Sequence, residues 1–175
     1  VSKVLNIMKK YRLPRNVLEL EITESQIMQD MEKAIETLSS LSRKGIRVAI
    51  DDFGTGYSSL GYLRSLPINT LKMDRSFVSS IRLRGDNSII DAIIAMARGL
   101  TLDLIAEGVE DQAQKGYLKR SGCSLAQGYH FSRPLPEAEL LQLIKHVASN
   151  KRKTAGDNSL SASAELRPDG ANNQD

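Results

Sequence analysis

Short apolar runs in this sequence alternate with longer segments in which apolar residues recur at helical spacing. The run VLELEI, residues 17–22, is typical of a strand, and residues 27–41 place apolar side chains at the spacing of one helix face. Thr23 and Gln26 fit a capping box at the start of this helix, and Gly45 fits its end. The pattern therefore predicts a strand, one helix and a stop.

The same alternation continues to about residue 148. The pattern predicts further strands in RVAID (47–51), TLKM (70–73), LDLIA (102–106) and SLAQGYHF (124–131), and helices in SSLGYLRSL (58–66), NSIIDAIIAMARGL (87–100), DQAQKGYLKRSG (111–122) and from Pro136 to about Ala148. Five strands that alternate with helices pair in parallel, because each crossover helix returns the chain to the same end of the sheet. The predicted fold class is α/β.

Composition supports one globular domain followed by a tail. Of the 175 residues, 41% are apolar and 26% are charged, which suffices for a single core. Residues 149–175 contain almost no large apolar side chains, so they cannot bury enough surface to offset the entropy of ordering. We predict a domain over residues 1–148 and a disordered polar tail over 149–175, in which the basic run 151–153 is simply solvated.

Charge and cysteine content exclude several classes of protein. The formal net charge is only +3 and the basic residues are scattered, so a nucleic-acid polymer is not a predicted partner. A single cysteine, Cys123, excludes an internal disulfide and favours a reducing compartment. No apolar run approaches the roughly 18 residues of a membrane span. We therefore predict a cytoplasmic domain, and because the chain opens on Val1 we expect a piece of a longer protein, which other segments could anchor to a membrane.

Polar residues stand at the carboxyl end of every predicted strand, where parallel α/β folds bind ligands. They are Glu21, Asp51 with Asp52, Lys72, Glu107 and Gln127. Four carboxylates offset by one lysine would repel one another unless cations lie between them. Because hard cations prefer carboxylates, and His130 and His146 are isolated in the sequence, the set favours Mg²⁺ or Mn²⁺ over zinc.

The stretch RVAIDDFGTG places two acids in succession before a glycine-containing loop. Neighbouring strand residues point to opposite faces, so Asp51 and Asp52 can both face the site only if the strand ends between them; otherwise the pair is a charged strand end with a glycine turn. One carboxylate could then bridge two metal ions about 3.5 to 4 Å apart. The loop that follows could receive a phosphate at Ser58, Ser59 and the start of the next helix, close as a lid or form a plain turn. Glu24, near the preceding helix start, could cap that helix or brace this loop.

Five motifs in this order resemble the EAL domain of bacterial cyclic-di-GMP phosphodiesterases: LELEITES, AIDDFGTGYSSL, LKMDRSFV, IAEGVE and AQGYHFSRP. The resemblance covers about residues 1–145. It implies a TIM-barrel-like (β/α) fold and a two-metal hydrolysis of cyclic di-GMP (c-di-GMP) to linear pGpG with Mg²⁺ or Mn²⁺.

The resemblance also implies a metal and catalytic role for each acid. Glu21 and Asp51 resemble metal ligands, with Asp51 bridging the two ions and Asp52 serving the second. Lys72 resembles the lysine that contacts the attacking water, and Glu107 resembles the acid near that water and the second metal.

A second group of residues is implied in substrate binding and in the loop. Gln127 resembles the glutamine of the same site. The loop residues Phe53, Gly54, Thr55 and Gly56 resemble a segment linked to substrate and to a homodimer, and the acid that matches Glu24 holds this loop in place.

Two elements of the family pattern have no counterpart in this sequence. The Glu-Ala-Leu signature is absent, residues 1–17 contain no acidic side chain, and Asn6 does not match the asparagine of the next family strand. A barrel of about 250 residues allots roughly 30 to each βα unit, so about 148 residues supply about five units of an incomplete barrel.

Two main hypotheses of different classes follow from this difference. In the first, the chain is the C-terminal part of an active phosphodiesterase domain. In the second, it is a truncated or degenerate protein without activity that binds c-di-GMP or another protein. An unrelated metal-dependent barrel lyase would share the acidic strand ends, but it would not share the five motifs.

Overall fold

The computed structural model of this chain describes residues 1–56, 60–81 and 86–148. It divides into two compact units, Val1–Ser132 and Arg133–Asp175. The predicted tail over 149–175 lies outside the described residues, and so the predicted boundary near 148 stays a prediction. No helix in the described ranges has the length and apolar character needed to cross a bilayer.

The first unit alternates strands and helices as the sequence pattern predicts. Its elements are α1 (Ser2–Lys10), β1 (Glu19–Thr23), α2 (Glu24–Gln29), α3 (Met31–Arg43), β2 (Arg47–Phe53), α4 (Leu60–Leu63), β3 (Thr70–Met73), α5 (Arg75–Ser79), α6 (Ser88–Gly99), β4 (Asp103–Ala106), α7 (Gln112–Ser121) and β5 (Leu125–Ala126). The second unit contains a helix, α8, over residues 137–148.

The sheet has five strands in the order β1-β2-β3-β4-β5, and every neighbouring pair is parallel. This confirms the predicted α/β class. Strands that are adjacent in the sheet are also consecutive in the chain, which is the arrangement of successive βα units in a barrel wall.

Side chains on the sheet alternate between an apolar face and a polar face. The apolar face is buried with helix residues in one core, to which the sheet contributes Val48, Ile50, Leu71, Met73, Leu104 and Ala106 and the helices contribute Leu38, Ile90 and Leu118. The alternate residues carry most of the charges of the strands. The central strand β3 is buried along its whole length.

Arg47 joins four strands at the amino end of the polar face. Its Nε lies 2.9 Å from Oε2 of Glu19, and its Nη2 lies 2.6 Å from Oδ2 of Asp103. Nη2 also donates to Oγ1 of Thr70 over 3.2 Å. The hydrogen bonds to Glu19 and Asp103 raise the pKa of Arg47. Sequence reasoning did not single out this cluster, because none of its members stands at the carboxyl end of a strand.

The predicted helix over residues 27–41 is wrong as a single element. The chain forms α2 and α3 instead, with a break at Asp30, whose side chain accepts a hydrogen bond from the Lys33 N–H over 3.1 Å. An aspartate that caps a new helix competes with continuation of the old one. The predicted stop is confirmed, since Gly45 follows α3 with φ +74°.

Two shorter predictions also differ from the structure, and one short helix was not predicted. The last strand is only Leu125–Ala126 and not 124–131, because Gly128 packs against the backbone of Val109 and the chain turns there. Helix α4 is limited to Leu60–Leu63, and the segment 57–59 lies outside the described residues. Helix α5 was not predicted, since it is only five residues long.

Candidate functional site

The carboxyl ends of four strands meet around the side chain of Lys72. Its Nζ lies 2.8 Å from Oε1 of Glu21, 2.8 Å from Oδ1 of Asp51 and 2.8 Å from Oε1 of Glu107. The Lys72 side chain is only 7% exposed, because β3 is the central strand. The predicted convergence of these strand-end residues is what the structure shows.

Burial and charge together shift the pKa values of Lys72 and Glu107. Burial lowers the pKa of Lys72, but its hydrogen bonds to Asp51, Glu107 and Glu21 outweigh burial and raise that pKa. Burial raises the pKa of Glu107, and the nearby carboxylates add to this effect while Lys72 opposes it. The pKa of Lys72 rises because the surrounding negative charge stabilises the ammonium, whereas the pKa of Glu107 rises mainly because burial destabilises its charged form.

Asp51 and Asp52 reach the site through an irregularity in β2, and the predicted strand end between them is wrong. The strand continues to Phe53, but its pairing with β3 shifts register between Ile50 and Phe53. One extra residue in β2 is accommodated there, and Asp52 adopts φ +53°. A bulge of this kind re-aims side chains that a regular strand would send to opposite faces.

Three carboxylates form a group that could hold a metal ion. Asp51, Asp52 and Glu107 each offer one oxygen, and these oxygens lie within 4.8 Å of one another. An oxygen-only donor set suits Mg²⁺ or Mn²⁺. Glu21 is outside this group, and its side chain, 53% exposed, reaches the site through Lys72.

Gln127 orients one of these carboxylates. Its Nε2 donates a hydrogen bond to Oε1 of Glu107 over 2.6 Å. The Gln127 N–H donates to the carbonyl oxygen of Ala106 over 2.9 Å, so β4 fixes both residues of the pair. The predicted residue at the end of the last strand is therefore part of the cluster.

Glu24 contacts the loop that follows β2. It is the first residue of α2, only 2% exposed, and its Oε2 accepts a hydrogen bond from the Gly54 N–H over 3.4 Å. A Cβ atom on Gly56 would lie 3.1 Å from the Glu24 carboxyl carbon. The structure contains the predicted contact with the loop, and Glu24 also lies in the first turn of α2, where the predicted interaction with the helix dipole occurs.

The remaining loop residues are held locally. Phe53 is buried, and the Thr55 hydroxyl donates to the carbonyl oxygen of Asp52 over 2.9 Å. The predicted phosphate contact at Ser58 and Ser59 lies outside the described residues. The His130 ring packs edge-on against Phe131, with ring centroids 5.3 Å apart.

A parallel βα sheet with acids at its carboxyl ends places this chain among the (β/α)-barrel proteins that carry an acidic site. The family model of the EAL domain matches residues 1–134. The chain belongs to the EAL domain family.

Three relatives illustrate the likeness. Residues of this chain are 46% identical to the cyclic di-GMP phosphodiesterase NbdA of Pseudomonas aeruginosa strain PAO1 over 146 positions, which is 83% of this chain and 19% of NbdA. The crystal structure of the EAL domain of Mycobacterium smegmatis DcpA superposes with a TM-score of 0.78 at 46% identity, over 83% of this chain and 66% of that chain. The phosphodiesterase PaMucR in its c-di-GMP complex superposes with a TM-score of 0.75 at 43% identity, over 79% and 57% of the two chains.

These relatives are longer than the present chain. It spans 18% and 19% of the first two curated relatives that it matches, YkoW of Bacillus subtilis and NbdA. The likeness therefore establishes the family and the fold of the matched region.

Proposed function

We propose that this chain supplies the acidic site of a phosphodiesterase domain that hydrolyses c-di-GMP to linear pGpG. The observation that carries the proposal is the group of oxygens from Asp51, Asp52 and Glu107 within 4.8 Å of one another, with Lys72 beside it. The proposal is supported by the names of NbdA and PaMucR, which are c-di-GMP phosphodiesterases.

Each residue of the group has a task in this reaction. Asp51, Asp52 and Glu107, with Glu21, would hold two divalent cations, and Asp51 would bridge them. When bound, such cations supply Lewis-acid activation of water and stabilise charge on the phosphodiester. Water attacks phosphorus, the P–O bond to the ribose 3′ oxygen breaks, and that oxygen leaves with a proton.

The neighbours of the acids set orientation and charge. The Lys72 ammonium, held charged by three carboxylates, would contact the attacking water and offset negative charge as it develops. Gln127 keeps Oε1 of Glu107 in one orientation through its hydrogen bond. The Glu24 contact to Gly54 holds the loop that begins beside Asp52.

Turnover by the product of the whole reading frame tests the proposal. With Mg²⁺ or Mn²⁺, chromatography should detect pGpG, whereas Ca²⁺ should inhibit because it accepts looser and longer coordination. Asp51→Asn should reduce turnover by at least about a hundredfold. Glu36→Gln makes the same carboxylate-to-amide replacement at an exposed position of α3 and should leave turnover unchanged. Equal turnover of Asp51→Asn and the native protein would refute the role of Asp51.

A non-catalytic binding module is the second candidate function. It is favoured by one observation, the absence of a Glu-Ala-Leu sequence, the signature of the family, from these 175 residues. In this case the 175-residue chain would bind c-di-GMP without turnover. Calorimetry with c-di-GMP, run beside the turnover assay, separates binding without hydrolysis from hydrolysis.

We also propose a homodimer, on the basis of the family resemblance of the loop Phe53–Gly56. Analytical ultracentrifugation of the chain with and without c-di-GMP measures the mass of the particle. A monomer at all concentrations up to about a hundred micromolar would contradict a stable dimer.

A further inference from the structure

We propose that α5 (Arg75–Ser79) is the positioning element of the acidic site, because Phe77 and Arg75 contact the loops that directly follow Asp52–Phe53 and Glu107. The contacts that α5 makes with these two loops belong to the fold and do not depend on the function of the site. Only the expected change in metal affinity rests on the proposed function.

Helix α5 is itself anchored to the strand that carries Lys72. Its N-cap, Asp74, directly follows β3, and the Asp74 side chain accepts a hydrogen bond from the Ser76 N–H over 2.9 Å. The Val78 side chain is completely buried. The cap places the start of the helix directly after β3, and the burial of Val78 packs its second half into the core.

The loop that follows β2, residues 54–56, packs against the Phe77 ring. A Cβ atom on Gly54 would lie 2.7 Å from Cε2 and 2.8 Å from Cζ of the Phe77 ring, and Gly54 has φ +96°. Only glycine fits both the space and the backbone angle. On another side of the loop, Gly54 donates its N–H to Glu24. The backbone two residues after Asp52 is therefore held between Phe77 and Glu24.

Arg75 contacts the loop that follows β4 at Gly108 in a similar way. A Cβ atom on Gly108 would lie 2.6 Å from Cβ and 3.4 Å from Cα of Arg75, and Gly108 has φ +68°. Gly108 directly follows Glu107. The contact is made by the base of the Arg75 side chain, so its charge is not required.

The sheet order gives these two contacts a joint effect. Strand β3 lies between β2 and β4, so α5 extends from the middle of the site and contacts a glycine on each side. We infer that the helix determines how far Asp52 stands from Glu107, whose oxygens lie within 4.8 Å of each other. Groups that orient metal ligands are typically worth about 10- to 100-fold in metal affinity.

Variants of α5 in the 175-residue chain test this inference through amide hydrogen exchange and Mn²⁺ calorimetry. Phe77→Leu keeps apolar bulk but removes the ring, and Phe77→Tyr adds an oxygen at Cζ, against Gly54. Both should accelerate exchange in residues 51–56 and lower Mn²⁺ affinity at least about tenfold. Ser79→Ala, on the exposed side of the same helix, should change neither.

A matched pair at Arg75 tests the second contact. Arg75→Ala retains Cβ and should preserve both exchange in residues 107–109 and Mn²⁺ affinity. Arg75→Gly removes Cβ and should accelerate that exchange and lower the affinity at least about tenfold. Urea unfolding of each variant shows whether it remains folded.

Amide exchange in the two loops and Mn²⁺ affinity together distinguish a failure of this proposal from a failure of the proposed function. Variants that lose unfolding free energy but keep native exchange in both loops would overturn the proposal and leave α5 as ordinary packing. If the native chain binds no Mn²⁺, the metal part of the proposed function fails, while faster loop exchange in Phe77→Leu still supports positioning by α5. Unchanged exchange in that variant overturns it.

Discussion

The ammonium of Lys72 lies 2.8 Å from Oδ1 of Asp51, although the two residues belong to neighbouring strands and are 21 positions apart in the chain. Glu21 and Glu107 approach the same nitrogen. A single buried cation therefore joins the carboxyl ends of four strands, and the stability of this end of the sheet depends on it.

Replacing Lys72 by methionine should destabilise the chain by about 1 to 3 kcal/mol, because three carboxylates lose their shared cation. Urea unfolding measures the loss. Added Mg²⁺ or Mn²⁺ should restore more stability in Lys72→Met than in the native chain, since a bound cation supplies the missing charge. Lys33→Met, at an exposed position of α3, is the control, and an equal loss in both variants would contradict the argument.

At the opposite end of the polar face, Arg47→Met should lower the free energy of unfolding by about 1 to 2 kcal/mol. The loss is limited because the partners of Arg47, Glu19 and Asp103, are partly exposed to solvent. The loss should be smaller in about 1 M salt, because screening weakens exposed ion pairs. Arg43→Met removes an exposed arginine near the end of α3 and should have little effect. A salt-independent loss at Arg47 would indicate lost packing instead of lost charge.

Two glycines with opposite surroundings make a matched test of backbone packing. A Cβ atom at Gly128 would overlap the backbone of Val109, whereas a Cβ at Gly99 has no atom within 4 Å. Gly128→Ala should lose more than about 2 kcal/mol and disturb Gln127, while Gly99→Ala should be neutral or gain up to about 1 kcal/mol. Thermal unfolding compares the two. Equal losses of unfolding free energy in the two variants would show that the backbone of Gly128 is not closely packed against that of Val109.

Stability at high pH should depend on Tyr117. Burial, followed by its 2.7 Å hydrogen bond to Asp91, raises the pKa of Tyr117 above the ordinary value of 10.0. The folded chain then keeps this proton where the unfolded chain has lost it, so the contribution is complete below pH 10.0 and is lost as pH rises through the folded pKa.

Urea unfolding at about pH 8 and about pH 10.5 measures this dependence. Tyr117→Phe should lose less than about 1 kcal/mol at the lower pH and should show a shallower decline between the two. Identical declines in the variant and the native chain would show that Tyr117 does not contribute.

Local residue patterns predicted most of the strands because a buried parallel strand needs a run of apolar or β-branched residues wherever it sits. The run TLKM is β3 to the residue, and the side chains of Glu21, Asp51 and Glu107 meet Lys72 at one end of the sheet. Very short elements, and strand ends that depend on contacts far along the chain, were not predicted. Helix α5 is stabilised by its Asp74 cap and buried Val78, and the last strand is cut short by Gly128 against Val109.

The sequence by itself determined the parallel α/β class, the family resemblance and which polar residues lie at the carboxyl ends of the strands, because these depend on residue type and period. Only the tertiary structure decided how those residues are arranged around Lys72. The bulge at Asp52 depends on pairing with β3, and the burial of Lys72 depends on strands on both sides. Contacts of this kind join residues distant in sequence, and no local pattern encodes their distances.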